Sequence, residues 1–317
     1  MKPDGNPFDA LVEEAAIAQA SRPGLALIRS WRGKDLAGIR GDLHDRFSAA
    51  GIEDAESDAR FLLDHVLKPT PLAVALVDPA RVSWQMIAGL ADLAARRLQR
   101  EPLSHILGDK PFWTLDLKVT RDVLTPRADT ETLVATVLDQ IADRKSALQI
   151  ADFGTGSGAI LLALLSELPN ATGLGIDISE SALAVAAENA NRNRLADRAA
   201  FRVGDWAAGV PDADLDVAVS NPPYIVSEII DTLQPEVKDF EPRSALDGGK
   251  DGLDVYRILL PELHRVLKPG GLMAVEIGFD QADSVTALAR AAGFPDAELA
   301  RDLAGQPRIV FSTRPAG

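Results

Sequence analysis

The sequence predicts an α/β protein in which a small all-α domain precedes a mostly parallel sheet with helices on both faces. In residues 35–101, apolar side chains recur every three or four positions, the period of amphipathic helices. Leu115, Leu117 and Val119 then alternate with polar residues as in a strand. Beyond residue 147, short apolar segments alternate with helical ones, a rhythm typical of parallel βα units.

Three segments follow from these patterns. Residues 1–34 hold one alanine-rich helical stretch, which ends at a Pro-Gly breaker, and are interpreted as an N-terminal extension. Residues 35–110 form the helical domain, with turns expected near Gly51, residues 69–71 and residues 78–79. Residues 111–317 contain the strand predicted around residues 115–119 and, after it, the parallel sheet.

Beyond residue 147, six strands and four helices are expected. The strands are placed at 148–153, 173–178, 199–203, 215–220, 271–277 and 308–311, and the helices at 159–168, 181–193, 256–267 and 281–292. Ligands of such sheets bind beyond the carboxyl ends of the strands, where the strand order switches. The site is therefore expected after Phe153, Ile176 and Ser220.

Composition excludes several classes of function. The chain has 317 residues, 46% of them apolar, and a net charge of −14. Residues 1–110 carry 14 basic and 16 acidic side chains, a charge of −2, whereas residues 111–317 carry 19 and 31, a charge of −12. The electric field of this negative charge repels the phosphates of nucleic acids, so no direct DNA binding is expected.

Residue usage narrows the chemistry further. The chain has no Cys, which excludes disulfides, thiolate metal sites and a cysteine nucleophile, and its four His residues have no metal-ligand spacing. No metal is expected. No apolar run reaches transmembrane length, and the acidic start is unlike a signal or transit peptide. The expected location is the cytoplasm, without a membrane partner.

A glycine-rich turn after the first sheet strand predicts a cofactor site. It reads Asp152-Phe153-Gly154-Thr155-Gly156-Ser157-Gly158, and glycines there permit a tight turn close to a ligand. Asp177 follows 19 residues after Gly158, at the end of the next strand, where a carboxylate can accept hydrogen bonds from both ribose hydroxyls. A nicotinamide dinucleotide fits less well, because its pyrophosphate prefers G-x-G-x-x-G without an acid at the start. Asp152 suits a cationic amine better.

These features, together with Gly204-Asp205-Trp206 after the third strand, resemble the class I S-adenosylmethionine (SAM) methyltransferases. The resemblance implies a Rossmann-like, seven-stranded, mostly parallel sheet and SAM as the cofactor. It also implies that Asp177 holds the ribose and that Ile178 packs on the adenine. By the same resemblance, Asp205 or the adjacent backbone would read the adenine edge, and Trp206 would flank the site. The cofactor is also expected to contact Asn221 and the turn residues Asp152, Gly154, Thr155, Gly156, Ser157 and Gly158.

After the fourth strand the chain reads Asn221-Pro222-Pro223-Tyr224, a rigid turn that suits the binding of a planar NH₂ group. Pro222 forces Asn221 toward an extended conformation, and the two prolines supply no N–H. The Asn221 side-chain oxygen and the Pro222 carbonyl can therefore act as two fixed acceptors. They would orient the lone pair of a weakly nucleophilic amide toward a methyl donor, without a general base before transfer. Asn221, Pro222 and Tyr224 are the predicted catalytic residues.

Further motifs resemble the HemK/PrmC family, which methylates a glutamine in class 1 peptide chain release factors. They are Arg100–Gly108, Phe112-Trp113, Val123–Glu131, Glu241–Leu246, Gly248–Leu253 and Leu267–Gly271. The resemblance covers about residue 35 to the end. It implies a helical domain that recognises the release factor, a β-hairpin linker, and transfer of methyl to the side-chain nitrogen (N5) of the glutamine in a Gly-Gly-Gln loop. Asn221, Pro222, Pro223, Tyr224, Phe112 and Arg127 would contact the substrate.

Some residues depart from the family or allow two interpretations. Ala128 replaces the proline usual in the Pro-Arg-Pro stretch, and residues 1–34 match nothing in the family. Phe112 either lines the glutamine pocket or closes the domain junction. His105 is interpreted as a packing residue, and Glu241 and Arg243 are expected to fix the loop over the active site.

Three other functions stay open. One is glutamine methylation of a ribosomal protein, which Asp129-Thr130-Glu131 disfavours. Another is methylation of adenine amines, disfavoured by the net charge of −14 and by the lack of a basic target-recognition domain. The third is a non-catalytic SAM-binding or release-factor-binding module.

Overall fold

The computed structural model describes residue 6 and residues 8–19, 22–68 and 82–316. Its contacts divide the chain into two compact units, residues 1–107 and 108–317. The division lies three residues before the boundary expected at about residue 110, because residue 109 already begins a strand of the second unit.

The first unit is helical throughout its described residues. Its helices are α1 (Asp9–Ala18), α2 (Leu25–Ser30), α3 (Leu36–Ala49), α4 (Ala55–Val66), α5 (Trp84–Leu98) and α6 (Leu103–Leu107). Side chains at helical spacing bury one apolar core, as the periodicity predicts. Phe61, included in that periodicity, is 44% exposed, whereas Leu62 and Leu63 beside it are buried. The turns expected at residues 69–71 and 78–79 lie outside the described residues.

The N-terminal segment contributes to the same core. Val12 of α1 and Ile28 of α2 are buried there, and so is Trp31. The Trp31 indole N–H donates to the Asp42 carboxylate across 3.0 Å, so this large side chain is both packed and hydrogen-bonded. Within the described residues, helices α1 and α2 therefore belong to the first unit rather than standing apart from it.

The second unit begins with a β-hairpin. Strands β1 (Asp109–Phe112) and β2 (Leu115–Lys118) pair antiparallel, with Phe112 opposite Leu115. Leu115 and Leu117 are buried and Asp116 is exposed, which is the alternation expected of a strand with one covered face. The turn places Trp113 at a φ of 56°, and the Trp113 N–H donates to the Glu131 carboxylate across 2.8 Å.

A seven-stranded sheet forms the centre of the second unit, as expected. Its strands are β3 (Gln149–Phe153), β4 (Thr172–Asp177), β5 (Ala199–Val203), β6 (Leu215–Ser220), β7 (Leu267–Glu276), β8 (Glu298–Arg301) and β9 (Pro307–Thr313). Their order is β5-β4-β3-β6-β7-β9-β8. Strands β3 to β7 are parallel, whereas β9 pairs antiparallel with both β7 and β8.

The helices of this unit cover the sheet. They are α7 (Glu131–Gln140), α8 (Ala159–Glu167), α9 (Glu180–Arg192), the short α10 (Pro235–Lys238), α11 (Asp254–Val266) and α12 (Ala282–Ala291). Residues 159–165 of α8 are all buried, so this helix lies inside the domain. Strand β8 is not among the six predicted strands, because Glu298-Leu299-Ala300-Arg301 is a short edge strand with mostly exposed side chains.

The strand order places the carboxyl ends of β3, β4 and β6 together. After β3 the chain builds outward through β4 and β5 and then crosses to β6 on the other side of β3. This switch point is where ligands of such sheets bind. No helix in the described part of the chain is long and apolar enough to cross a membrane.

Candidate active site

The glycine-rich turn joins β3 to α8 and lines a cavity in the second unit. Gly154, Gly156 and Gly158 have φ values of 72°, 53° and 80°, a region that residues with a Cβ rarely adopt. The main-chain N–H groups of Gly154 and Thr155 donate to the Ile176 carbonyl across 2.8 and 3.0 Å. The turn is thus attached to the end of the neighbouring strand β4.

Asp177 ends β4 and borders the same cavity. Its Oδ2 accepts from the Gly156 N–H and its Oδ1 from the Ser179 N–H, each across 2.9 Å. A carboxylate has about four acceptor positions, so two main-chain bonds fix the group and leave capacity for a ligand's hydroxyl groups. This arrangement suits a ribose.

Apolar side chains form the wall beside Asp177. Ile178 is 63% exposed although it is a large apolar residue, and it lines the cavity together with Trp206. Trp206 adopts a φ of 48°, and its ring lies close to Gly154, where a Cβ would meet the ring at 3.6 Å. Asp205 borders the cavity as well. An exposed aliphatic side chain, an aromatic ring and a carboxylate together suit a nucleoside base.

The tetrapeptide follows β6 and is anchored from several sides. The Ser220 hydroxyl donates to the Phe153 carbonyl across 2.6 Å, which ties the end of β6 to the end of β3. The Tyr224 carbonyl accepts from the Gln281 side-chain amide across 3.0 Å. Gly252 lies so close that a Cβ there would meet the Tyr224 carbonyl oxygen at 2.4 Å. The main chain of the tetrapeptide is therefore held rigidly.

Two tetrapeptide side chains make polar contacts. The Asn221 side-chain amide donates to the Thr130 hydroxyl across 3.3 Å, and the Tyr224 hydroxyl donates to Glu276 Oε1 across 3.4 Å. Burial raises the pKa of Tyr224, and the nearby Glu276 raises it further. Tyr224 is therefore a neutral hydrogen-bonding group and not a base near pH 7.

Two loops complete the cavity wall, one before α7 and one after α10. Glu241 joins them, since its carboxylate accepts from the Thr125 N–H across 3.2 Å and from the Arg127 guanidinium across 2.7 Å. Burial raises the pKa of Glu241, while Arg127 acts in the opposite direction. Glu241 thus holds two chain segments together beside the cavity, in the way expected from the sequence.

Eleven of the predicted site residues line this cavity. They are Arg127, Gly154, Thr155, Gly156, Ser157, Asp177, Ile178, Asp205, Trp206, Asn221 and Pro223. Asp122, Leu124, Thr130, Pro242 and Ser244 are further lining residues that the sequence did not single out individually.

Five predicted site residues are not among those that line the cavity: Asp152, Gly158, Pro222, Tyr224 and Phe112. Asp152 is fully buried beneath the turn and accepts from the Thr155 hydroxyl across 2.7 Å. Burial raises the pKa of Asp152 to about 7, and the bond from Thr155 opposes that rise. Phe112 is 2% exposed and packs in the apolar core of the second unit. The structure therefore favours packing for Phe112 over contact with a ligand.

Sequence reasoning missed two polar residues that support the site. Asn189, fully buried, donates to the carbonyls of Ser157 and Lys118 and accepts from the Lys118 N–H, so it ties the glycine-rich turn to the hairpin. Glu276 is 1% exposed at the end of β7. The sequence signal that could have identified Glu276 is an acid at the end of a run of buried apolar residues. A buried carboxyl in such a place requires hydrogen-bond or charge partners.

Comparisons with protein families agree with the two units. Residues 42–108 match the PrmC N-terminal domain, and residues 144–291 match a methyltransferase domain.

Curated relatives match nearly the whole chain. A release factor glutamine methyltransferase of Caulobacter vibrioides is 48% identical over 291 residues, which cover 92% of this chain and 97% of the relative. One from Rhodospirillum rubrum is 47% identical and covers 86% of this chain and 82% of the relative. One from Bradyrhizobium diazoefficiens is 43% identical, with 89% and 96% covered.

Proposed function

Because the chain belongs to the family of release factor glutamine methyltransferases, we propose that it methylates the side-chain nitrogen (N5) of a glutamine in class 1 peptide chain release factors. The glutamine is the one in the Gly-Gly-Gln loop of those proteins. The proposal includes a cytoplasmic location, where release factors act.

The chain is a SAM-dependent methyltransferase. SAM supplies an electrophilic methyl group on a sulfonium. The residues of the cavity fit this cofactor, because Asp177 has acceptor capacity for ribose hydroxyls and Ile178 and Trp206 offer apolar surfaces for adenine. Asp152 fits a cofactor with a cationic amine less directly, because it is fully buried beneath the turn. Its Oδ1 has no hydrogen-bond partner among the described residues, and its carboxylate would act on the amine of the methionine portion through the turn and not by contact.

The observation that carries the proposed reaction is that Asn221 and Asp177 line one cavity. Asn221 Oδ1 and the Pro222 carbonyl would accept the two N–H groups of the substrate amide. An amide nitrogen is weakly nucleophilic because its lone pair is delocalised, so fixed acceptors raise its reactivity by orienting that lone pair. The nitrogen would become acidic only as its new bond to the methyl carbon forms and that carbon leaves the sulfonium sulfur, which becomes a neutral thioether. The proton of the nitrogen would then pass to solvent.

The roles of the other site residues belong to the same proposal. Pro223 and Arg127 line the cavity and would contact the substrate loop. Tyr224 would hold the tetrapeptide in place through its hydrogen bond to Glu276. The helical residues 35–110 would recognise the release factor. The near-neutral charge of −2 on residues 1–110, against −12 on residues 111–317, fits a protein-binding role.

Mass spectrometry tests the proposed function. The full chain is incubated with SAM and unmethylated release factor, and the proposal expects a single added methyl on the loop glutamine. A release factor in which that glutamine is replaced by asparagine serves as the control and is expected to stay unmodified. Ribosomal proteins and DNA containing adenine are assayed in parallel. Methyl transfer to either of them and not to release factor would overturn the proposed substrate.

A further inference from the structure

Thr130 and Glu276, from distant parts of the chain, contact side chains of the tetrapeptide. Thr130 is 4% exposed and ends the 3₁₀ turn Ala128–Thr130 that leads into α7. Its hydroxyl oxygen accepts from the Asn221 side-chain amide across 3.3 Å. Glu276 lies at the end of β7 and is 1% exposed. Thr130 thus contacts the tetrapeptide at Asn221, and Glu276 contacts it at Tyr224.

The buried Glu276 carboxyl needs hydrogen-bond donors, and the Thr130 hydroxyl can supply one. Glu276 Oε1 accepts from the Tyr224 hydroxyl across 3.4 Å, whereas Oε2 is buried without a bond of ordinary geometry among the described residues. Burial raises the pKa of Glu276, and the Thr130 hydroxyl is the first among the groups that lower it. The strand end itself is fixed, because the Tyr256 hydroxyl donates to the Glu276 carbonyl across 2.7 Å.

The direction of the hydrogen bonds follows from the donor count of each group. An ionised carboxylate only accepts, and a threonine hydroxyl has a single hydrogen. If Thr130 donates that hydrogen to Glu276, its oxygen can only accept from Asn221, and the donor must be the Asn221 Nδ2. The Asn221 Oδ1 then faces away from Thr130. A protonated Glu276 can donate to Thr130 instead, which permits the reversed orientation of the Asn221 amide.

We propose that Glu276 and Thr130 are positioning residues that hold the Asn221 amide with its oxygen toward the substrate. The inference rests on the proposed function, in which Asn221 Oδ1 accepts from the substrate amide. In the reversed orientation Asn221 would present an NH₂ group to the substrate NH₂, and the two donors would repel each other. One buried carboxyl therefore determines whether the amide-binding turn can accept its substrate.

The charged and titratable groups around Glu276 set the pH at which this control operates. Arg308 on β9 favours the charged carboxylate, and Asp129 in the 3₁₀ turn opposes it. The hydroxyls of Tyr224 and Tyr256 face it from the tetrapeptide and from α11. Burial outweighs these effects and raises the pKa of Glu276 to about 7. Since the active orientation needs the charged form, methyl transfer should increase as the pH rises through about 7.

The first test uses single-turnover methyl transfer by the full chain at saturating SAM and release factor. Thr130→Val keeps the shape but removes the hydroxyl, so the rate is expected to fall about tenfold, the scale of one hydrogen bond. Thr130→Ser restores the hydroxyl and is expected to stay within about threefold of the parent. Thr172→Val, an exposed threonine at the opposite end of β4, is the matched control. Thermal melts verify folding, and calorimetry is expected to show similar SAM affinity for all variants.

The second test separates positioning from a merely structural role. The parent rate is expected to rise through about pH 7, whereas Glu276→Gln should show no such rise, because glutamine has no proton to gain. NMR of the Asn221 side-chain NH₂, assigned by its loss in Asn221→Ala, should follow the same pH midpoint in the parent and not in Glu276→Gln. A Thr130→Val rate within twofold of the parent, or an unchanged pH profile in Glu276→Gln, would overturn the inference. If the parent does not methylate release factor, the proposed function fails, and the NMR titration still decides the orientation of Asn221.

Discussion

The Gly156 N–H donates to the Asp177 carboxylate across 2.9 Å, so the glycine-rich turn and the acid at the end of β4 form one unit. The left-handed φ of Gly156, 53°, turns its N–H toward Asp177. The acid that is expected to bind the cofactor is therefore fixed in place before any ligand arrives, which lowers the entropy cost of binding.

Asp177→Ala is expected to weaken SAM binding by about 1–3 kcal/mol, or about five- to 150-fold in Kd, because charged hydrogen bonds to the ribose are lost. Calorimetry measures the change directly. Glu180→Ala removes an exposed acid at the start of α9 and should leave Kd unchanged. Equal affinities of parent and Asp177→Ala would remove Asp177 from the cofactor site.

Asn221→Ala is expected to lower kcat by about 100-fold or more, the scale of deleting one preorganised polar contact in an active site, with a smaller change in SAM affinity. Asn221→Asp keeps an acceptor but adds a negative charge beside the sulfonium, so SAM should bind at least as well as in the parent. Single-turnover rates at saturating substrates provide the measurement, with the exposed Asn191→Ala as control. An Asn221→Ala rate within about threefold of the parent would mean that Asn221 does not control the rate of methyl transfer.

Arg127→Ala should destabilise the second unit by about 1–3 kcal/mol, because it leaves a buried carboxylate without its cation. The side chain of Glu241 is 1% exposed, and Arg127 lowers its pKa against the effect of burial. Without Arg127 the pKa of Glu241 should therefore rise further. Urea unfolding measures the loss, and Lys250→Ala, which removes an exposed cation from a nearby loop, should cost little. Equal stabilities of these two variants would contradict the role given to Glu241.

The stability of the SAM-free protein should fall as the pH rises through about 7. Burial raises the pKa of Asp152 from 3.8 to about 7, so over this range the folded protein binds more protons than the unfolded chain, and deprotonation favours unfolding. Glu276, raised to about 7 as well, acts in the same direction. Tm should be lower at pH 8 than at pH 6, and Asp152→Asn should reduce that difference. The exposed Asp283→Asn should keep the difference of the parent, and a Tm that rises over this range would contradict the prediction.

Deleting the first unit should separate cofactor binding from substrate recognition. Residues 108–317 form a compact unit of their own, and every residue of the candidate cavity lies within them. The fragment should therefore bind SAM with an affinity like that of the full chain but methylate intact release factor much more slowly. Calorimetry and the mass-spectrometric assay measure the two properties, and a thermal melt verifies folding. Normal methylation by the folded fragment would exclude recognition by the helical unit.

Local patterns in the sequence were sufficient to predict that the glycine-rich turn and Asp177 lie together, and both line the cavity. The glycine-rich turn and Asp177 each follow a strand, and parallel strands bring their carboxyl ends to one edge. Asn221 could be placed at the same edge for the same reason. The alternation of apolar segments likewise predicted the parallel part of the sheet. The edge strand β8 was missed because its mostly exposed residues form a pattern like that of a loop.

The partners of these residues required the tertiary structure. Asn221 and Thr130 are 91 residues apart in the chain, and Arg127 and Glu241 are 114 apart. Residues so far apart in the chain share no periodic pattern and no short spacing, so the sequence alone does not predict that they form a hydrogen bond.

The sequence by itself determined which chemical groups stand at the ends of the strands, since strand, turn and helix form from neighbouring residues. Only the tertiary structure decided what each group does there. Burial and packing placed Phe112 in the core, Asp152 beneath the turn and Glu276 behind Tyr224. The pKa of a carboxyl and the direction of an amide depend on desolvation and on partners brought from distant parts of the chain, and the folded arrangement alone supplies both.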